Sequence, residues 1–147
     1  MLAHRITLRL PSELGYEKVA MASAATLAAR LGFTPERIDD VKTVVAEACI
    51  NAIEHGNELN VDIPVIVELS EEGGDLEIKV SDVGKKLIPS PLPRPGEDPR
   101  HRGWGMYLIQ NLVDEFDFGV TPQGGNYIRM RLHRVAPPVI AQRAIAR

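Results

Sequence analysis

The pattern of apolar and polar positions divides the chain into short strands and longer helices. Polar and apolar residues alternate from His4 to Leu10, as in a strand with one buried face, and Pro11 ends the run. An alanine- and leucine-rich run from Tyr16 to Leu31 predicts a first helix, which Gly32 would cap. The chain is therefore expected to open with one strand and one helix.

The second predicted helix carries the clearest signals in the chain. Thr34 can cap its first turn, Pro35 suits the first helical position, and Glu36 places an acid near the helix N-terminus. Apolar residues then recur at helical spacing, so this helix should bury one face. It is expected to run to about His55, where Gly56 stops it.

Beyond this helix the pattern changes to β-branched residues. Residues 61–70 and 75–82 predict an antiparallel strand pair joined by the glycine-containing loop 71–74. The proline-rich stretch 85–102 has little periodicity and predicts a long loop of the kind that forms lids or linkers. Helical spacing resumes over residues 103–116. Two further strands are expected, over 116–120 and 126–133, joined by a second hairpin turn.

The order of these elements indicates an α+β two-layer sandwich. A length of 147 residues fits one domain with a sizeable core. Because the helices and strands are grouped instead of strictly alternating, we expect a mixed, mostly antiparallel β-sheet covered on one face by three helices. Residues 1–135 would form this domain, and residues 136–147 a C-terminal tail.

Composition and charge exclude several classes of protein. A hydrophobic fraction of 44% and a charged fraction of 25% are typical of soluble globular proteins. The net charge of -3 lacks the basic excess that nucleic-acid binding uses, and no long apolar segment suits export or a membrane span. The single cysteine, Cys49, cannot form an internal disulfide and is expected in the core. These features predict a cytoplasmic protein without a nucleic-acid or membrane partner.

The first candidate site lies on the second helix. Glu47, Asn51 and His55 are spaced four residues apart, so their side chains lie along one stripe. A carboxylate can accept a proton from a hydroxyl, and an amide oxygen suits a hard cation such as magnesium that also takes phosphate oxygens as ligands. This pairing fits ATP chemistry, although a solvated polar face has the same spacing.

Two further motifs follow in the chain. Asp82 and Gly84 end a predicted strand, where a carboxylate could accept a hydrogen bond from an amino group and a glycine lets a flat ring approach. An ordinary turn explains this pair equally well. Arg102, Gly103 and Gly105 lead into the third helix, where bare backbone N–H groups and the helix N-terminus favour phosphate. A flexible hinge with a cap is the alternative.

Taken in order, these motifs resemble a known family. The set comprises E-x-x-x-N on a helix, D-x-G after a strand, a long loop and R-G-x-G before a helix. It resembles the ATP-binding fold shared by gyrase, Hsp90, histidine kinases and MutL, and most closely the anti-sigma factor serine/threonine kinases that include SpoIIAB and RsbW. The resemblance spans roughly residues 5 to 133 and implies a histidine-kinase-like ATPase fold.

The resemblance implies a role for each matching position. Glu47 matches the catalytic base that activates a serine hydroxyl, Asn51 the residue that holds Mg²⁺, and Asp82 the acid that reads the adenine amino group. Arg100 or Arg102 stands where the family uses a lid arginine near the terminal phosphate. The positions expected to contact ATP are Asn51, His55, Asp82, Gly84, Arg100, Arg102, Gly103, Trp104, Gly105, Met106 and Asn126.

The chain departs from the family pattern at two positions. Lys86 stands at the second glycine of the D-x-G-x-G motif, where a side chain with positive φ would be strained. Asn126 stands where relatives carry a threonine that assists adenine binding, and its amide can both donate and accept there.

The function implied by the resemblance is that of a bacterial anti-sigma factor kinase. Such a protein would bind ATP and Mg²⁺, phosphorylate a serine on a STAS-type anti-sigma-factor antagonist, sequester a sigma factor and form a homodimer. Glu47 and Asn51 favour this reading. Lys86 and Asn126 favour the alternative, a catalytically weak or inactive module that regulates a partner by sequestration. A kinase that serves a stressosome-type scaffold is a third possibility.

Overall fold

The computed structural model describes residues 4–85, 88 and 103–135. These residues form three α-helices and five β-strands. In chain order they are β1 (Arg5–Leu10), α1 (Glu17–Arg30), α2 (Pro35–Asn51), β2 (Val65–Glu72), β3 (Asp75–Ser81), α3 (Gly103–Leu112), β4 (Glu115–Val120) and β5 (Asn126–Leu132). The predicted C-terminal tail, most of the loop 85–102, Lys86, Arg100 and Arg102 lie outside the described residues.

The five strands form one sheet in the order β1-β2-β3-β5-β4. All four pairings between the described strands are antiparallel, so the expected mixed, mostly antiparallel sheet proves to be wholly antiparallel in this part of the chain. Between β2 and β3, Gly73 and Gly74 both have positive φ, as the tight turns that join neighbouring strands require. The two-layer fold predicted from the sequence is confirmed.

One face of the sheet packs against the helices and forms the core. The strand register aligns Val67, Val80 and Ile128 side by side on this face, and all three are buried. Helix α2 presents Val41 and Cys49 to the same core. Burial raises the pKa of the Cys49 thiol to about 12, with a smaller contribution from the charge of Glu17, so this cysteine is a core residue as expected.

The other face of the sheet carries alternating charges. Arg129 on β5 lies between Asp117 on β4 and Glu77 on β3, forming a salt bridge with the former and approaching the latter to 3.8 Å. Opposite charges on adjacent strands stabilise a sheet modestly when they face water. This face is therefore consistent with a solvated surface.

A buried arginine joins the start of α2 to the ends of α3 and β5. Arg37 is fully buried and donates from Nε to the His133 carbonyl at 2.9 Å and from Nη1 to the Leu112 carbonyl at 2.6 Å. It also pairs with Asp40 at 3.1 Å and with Asp114 at 2.5 Å. Because a buried charge must be paired and hydrogen-bonded, this network fixes the N-terminal end of α2 against the rest of the domain.

The second helix ends near its predicted stop at Gly56, but its last turn is not α-helical. The Thr34 side chain caps it by accepting a hydrogen bond from Arg37 N at 3.2 Å, as expected. Its α-helical part, however, stops at Asn51, and residues Ala52–Gly56 form one π-helical turn. The wider turn carries the chain from the helix toward the end of β3, and such turns occur frequently at functional sites.

Two other boundaries differ from the prediction. Strand β2 begins at Val65 and not at residue 61, since Asn57 draws the preceding segment inward through hydrogen bonds from Nδ2 to the carbonyls of Ile63 and Pro64. Helix α3 ends at Leu112 and does not reach residue 116, because Asp114 turns to accept hydrogen bonds from Arg37 and from the backbone of His133. In both cases the hydrogen bonds of a polar side chain set the boundary.

Candidate functional site

Five of the predicted site residues line a cleft between α2 and α3: Glu47, Asn51, His55, Gly105 and Met106. Glu47 and Asn51 lie one helical turn apart and are both half-buried. The cleft has a volume of about 160 Å³ and is lined by Glu47, Ile50, Asn51, Glu54, His55, Gly105 and Met106. Within the described part of the chain, the side chains of Glu47 and Asn51 form no hydrogen bond or ion pair. Their polar atoms are therefore available to a ligand.

Gly105 brings the first turn of α3 against Glu47. A Cβ atom at this position would lie 2.7 Å from Glu47 Oε2, closer than real Cβ contacts come. The glycine therefore allows the helix N-terminus, whose first backbone N–H groups have no intrahelical partner, to approach the carboxylate. A helix N-terminus also attracts anions such as phosphate. Gly103, at the first position of α3, belongs to the same turn.

Asp82 lies at the far end of the π-helical turn, enclosed by three glycines. A Cβ on Gly56 would lie 2.1 Å from Asp82 Oδ2, and a Cβ on Gly125 would lie 2.0 Å from the Asp82 carbonyl oxygen. A Cβ on Gly84 would come within 1.5 Å of the Gly56 carbonyl oxygen. The overlaps at Gly84 and Gly125 are with backbone atoms, so a side chain there would move the backbone, whereas a side chain at Gly56 would displace the Asp82 carboxylate.

The carboxylate of Asp82 is held by hydrogen bonds from the protein itself. Oδ1 accepts from Gly84 N at 3.0 Å, from Asn126 N at 3.1 Å and from Asn126 Nδ2 at 3.3 Å. The pairing of β3 with β5 places Asn126 here, because the Asp82 backbone N also donates to the Asn126 carbonyl at 2.9 Å. Both side chains are buried, Asp82 being 5% and Asn126 3% exposed.

Asn57 is a site residue that the sequence analysis did not identify. Its Oδ1 accepts a hydrogen bond from Val83 N at 2.9 Å, and its Nδ2 donates to the Ser12 hydroxyl at 3.0 Å. It thereby ties the residue after Asp82 to the segment that follows β1. The motif D-x-G carries no signal for this partner, which stands 26 residues earlier in the chain.

The remaining predicted residues occupy different environments. Met106 is buried and lines the cleft, whereas Trp104 is 62% exposed and its ring edge meets Tyr107 at a centroid distance of 6.3 Å. His55 lines the cleft beside Glu54, with 3.9 Å between Nε2 and the carboxylate. Contact of Trp104 with a nucleotide stays a prediction.

Size alone does not select the α2–α3 cleft. Two cavities of about 330 and 390 Å³ lie on the outer face of the sheet, among the charged side chains around Glu77 and Arg129. These side chains pair with one another across the strands, whereas Glu47 and Asn51 in the cleft have no side-chain partner among the residues that the structure describes. The described residues contain no cluster of three or more His, Cys, Asp or Glu residues arranged for a metal, and no helix among them is long and apolar enough to cross a membrane.

Comparison with known proteins identifies the family of this chain. The family profile of the histidine kinase-like ATPase domain matches residues 10–132. The chain belongs to this ATPase family. Its relatives include the serine-protein kinase RsbW of Bacillus cereus, 30% identical over 139 residues, covering 85% of this chain and 86% of the relative. RsbW of Listeria innocua is 31% identical over 137 residues, covering 84% and 87%. At this identity and coverage, the chain also belongs to the RsbW serine-protein kinases.

Two solved structures have the same fold as this chain. The RsbU and RsbW domains of a Mycobacterium tuberculosis protein match with a TM-score of 0.64 at 21% identity, covering 92% of this chain and 33% of that one. The blue-light activated histidine kinase of Erythrobacter litoralis matches with a TM-score of 0.51 at 18% identity, covering 78% and 40%. The present chain thus corresponds to about a third of the first of these structures.

Proposed function

We propose that this protein is an anti-sigma factor serine/threonine protein kinase that binds ATP with Mg²⁺. The observation that carries the proposal is the cleft in which Glu47 and Asn51, both without partners in the described residues, meet the N-terminal turn of α3 at Gly105. Membership of the RsbW serine-protein kinases supports the same activity.

Glu47 would act as the general base. Its carboxylate, half-buried in the cleft, would accept the proton of a substrate serine hydroxyl as that oxygen becomes nucleophilic. ATP, when bound, supplies the phosphoryl group. The N-terminal turn of α3, at Gly103 and Gly105, would bind phosphate oxygens through backbone N–H groups. A lid arginine, Arg100 or Arg102, would offset the negative charge on the phosphoryl group that is transferred.

Asn51 would hold Mg²⁺, and Asp82 would recognise the base. An uncommitted amide oxygen facing the cleft is a suitable ligand for a hard cation that keeps several waters and takes phosphate oxygens. The ionised carboxylate of Asp82 can only accept hydrogen bonds, so it suits an exocyclic amino group such as that of adenine. At about 160 Å³ the cleft suits the phosphate end of a nucleotide, since whole ligand sites measure roughly 300–1,000 Å³.

The partners are also part of the proposal. The substrate would be a serine of a STAS-domain anti-sigma-factor antagonist, and the kinase would sequester a sigma factor, act as a homodimer and work in the cytoplasm without binding nucleic acid or membrane. The names of the relatives, serine-protein kinases RsbW, support a protein serine as the substrate. The STAS-domain antagonist, the sigma factor and the homodimer are what the family resemblance implies.

Calorimetric titration with ATP, with and without Mg²⁺, tests the proposal. The wild type should bind ATP more tightly with Mg²⁺, Asn51→Ala should lose most of the Mg²⁺ dependence, and Asp82→Asn should lose affinity under both conditions. Asn111→Ala is a matched control, because Asn111 is on α3 and does not line the cleft. Absence of ATP binding in folded wild-type protein would instead favour a module that acts by sequestration alone.

A further inference from the structure

The side chain of Asn126 connects the base-recognition residue to another part of the chain. Its Nδ2 donates to Asp82 Oδ1 at 3.3 Å, and its Oδ1 accepts from Ile88 N at 3.0 Å. Ile88 stands six residues after Asp82, in the segment that leaves β3, and packs against the core. The amide therefore bridges two points that no strand pairing joins.

Chemistry fixes the orientation of this amide. A backbone N–H can only donate, so the Asn126 group that faces Ile88 N must be the amide oxygen. The NH₂ group must then face Asp82, whose carboxylate can only accept. Together with the backbone N–H groups of Gly84 and Asn126, it restrains rotation of the carboxylate.

We propose that Asn126 is a positioning residue for base recognition, which orients the Asp82 carboxylate and anchors it to the chain at Ile88. The inference rests on the proposed function, since it assumes that Asp82 reads a nucleotide base. It differs from the role that the family resemblance implies for this position, which is direct assistance to adenine binding. Asn126 acts here through Asp82.

Three substitutions distinguish the hydrogen bond to Asp82 from the hydrogen bond to Ile88. Asn126→Ala removes both hydrogen bonds. Asn126→Thr keeps a hydroxyl close to Asp82 but is too short to reach Ile88. Asn126→Asp keeps the shape and the acceptor for Ile88 N, but replaces the donor to Asp82 with a second carboxyl.

Base selectivity gives a readout that loss of stability would not change. Inosine triphosphate carries a 6-oxo acceptor where ATP carries an amino donor, so a well-oriented Asp82 should favour ATP. We expect Asn126→Ala to weaken ATP binding about tenfold, as for a lost hydrogen bond to a charged group, with little change for inosine triphosphate. Asn126→Thr should retain most of the selectivity. Dissociation constants come from calorimetry with Mg²⁺, on proteins whose melting curves show them folded.

The pH dependence of Asn126→Asp gives a second, independent readout. Two carboxyls at about 3.3 Å cannot readily both ionise, so the pair should hold one proton at mildly acidic pH. That proton restores a donor to Asp82. ATP affinity of the variant should approach the wild-type value near pH 6 and fall about tenfold relative to wild type near pH 8.

The outcomes distinguish failure of the nucleotide site from failure of the positioning role of Asn126. If folded wild-type protein binds neither nucleotide, the proposed function fails and this inference with it. If wild-type protein binds ATP, but Asn126→Ala weakens both nucleotides alike or neither, the positioning role is wrong while the nucleotide site stands. The role is also contradicted if Asn126→Thr loses selectivity as fully as Asn126→Ala, or if Asn126→Asp follows the wild-type pH profile.

Discussion

Asp82 and Glu47 are the two carboxylates to which the proposed function gives a role, and the protein surrounds them in opposite ways. At the Asp82 end (Asp82 with Gly56, Gly84, Gly125 and Asn126), the carboxylate is buried and one oxygen accepts three hydrogen bonds from the protein. At the Glu47 end (Glu47, Asn51 and Gly105), the described residues provide the side chains with no partner.

The difference indicates how the two ends divide the work. A carboxylate held by fixed donors has a set orientation, which suits recognition of one hydrogen-bond pattern on a ligand. A general base must instead accept a proton during the reaction, so it needs a face that the protein has not already occupied. The protein itself therefore orients the Asp82 carboxylate in the absence of a ligand. At the Glu47 end, the proposed function leaves the hydrogen bonds of the side chains to the substrate.

Removing the base at the Glu47 end should have the largest effect on activity. Glu47→Gln keeps the size of the side chain but loses the proton acceptor, so phosphoryl transfer should fall by about 10²- to 10⁴-fold. ATP affinity and melting temperature should stay near wild-type values, because Glu47 has no partner in the described fold. The measurement is transfer of labelled γ-phosphate to a STAS-domain antagonist. Wild-type rates in this variant would exclude Glu47 as the base.

Substitution at the Asp82 end should damage the fold before it affects chemistry. In Gly84→Ala the new Cβ would overlap the Gly56 carbonyl oxygen, at 1.5 Å, so the backbone must shift. We expect a loss of about 3 kcal/mol in the free energy of unfolding, or about 10 °C in melting temperature for a chain of this size.

Gly119→Ala is the control for this substitution, since its Cβ would meet only the Tyr127 ring, at 3.0 Å, and a side chain can move aside. Its cost should stay below about 1 kcal/mol. Equal melting temperatures for the two variants would show that the close approach of Gly84 to Gly56 does not constrain the backbone.

The sequence predicted the Glu47 end better than the Asp82 end. Helical spacing alone placed Glu47 and Asn51 on one stripe, and both line the cleft. The surroundings of Asp82 depend on β5 pairing with β3 across an intervening helix, which brings Gly125 and Asn126 to a residue more than 40 positions earlier. No local pattern reports such a pairing.

Two other features of the fold were not predicted, for the same reason. Gly56 was predicted as a helix stop, but its role in contact with Asp82 appears only once the π-helical turn is formed. Arg37, in the first turn of a helix, has the sequence signature of a solvated charge, yet it is fully buried by partners 77 and 96 residues away. Burial of polar groups by distant partners cannot be inferred from periodicity.

Gly105→Ala, which adds a methyl group beside Glu47, should lower activity without lowering stability. In Gly105→Ala the Cβ would lie 2.7 Å from Glu47 Oε2, the mobile end of a side chain, so the carboxylate can move and the helix need not. Alanine also favours a helix over glycine by roughly 0.5–1 kcal/mol, so the melting temperature should hold or rise. Transfer should nevertheless fall about tenfold, because small displacements of a catalytic group are costly. A lower melting temperature with unchanged transfer would contradict this account.

Substitution of Asp75, a carboxylate outside both ends of the site, should have the smallest effect. It also provides a reference for stability measurements at acid pH. Asp75 Oδ2 accepts from Arg131 Nε at 3.1 Å, and its Oδ1 lies 3.0 Å from His133 Nδ1. Burial opposes ionisation, but the hydrogen bonds from His133 and Arg131 outweigh it and lower the pKa of Asp75. Since the pKa in the folded protein lies below the unfolded value of about 3.9, Asp75 stabilises the fold above that pH and the contribution is lost as pH falls through the folded pKa.

Asp75→Asn should therefore melt at a slightly lower temperature than wild type at about pH 5, and the difference should shrink toward about pH 2.5. Melting curves across this range measure it, and a constant difference would show that ionisation of Asp75 is not its source. ATP affinity of the variant should match wild type throughout, because Asp75 belongs to neither end of the site.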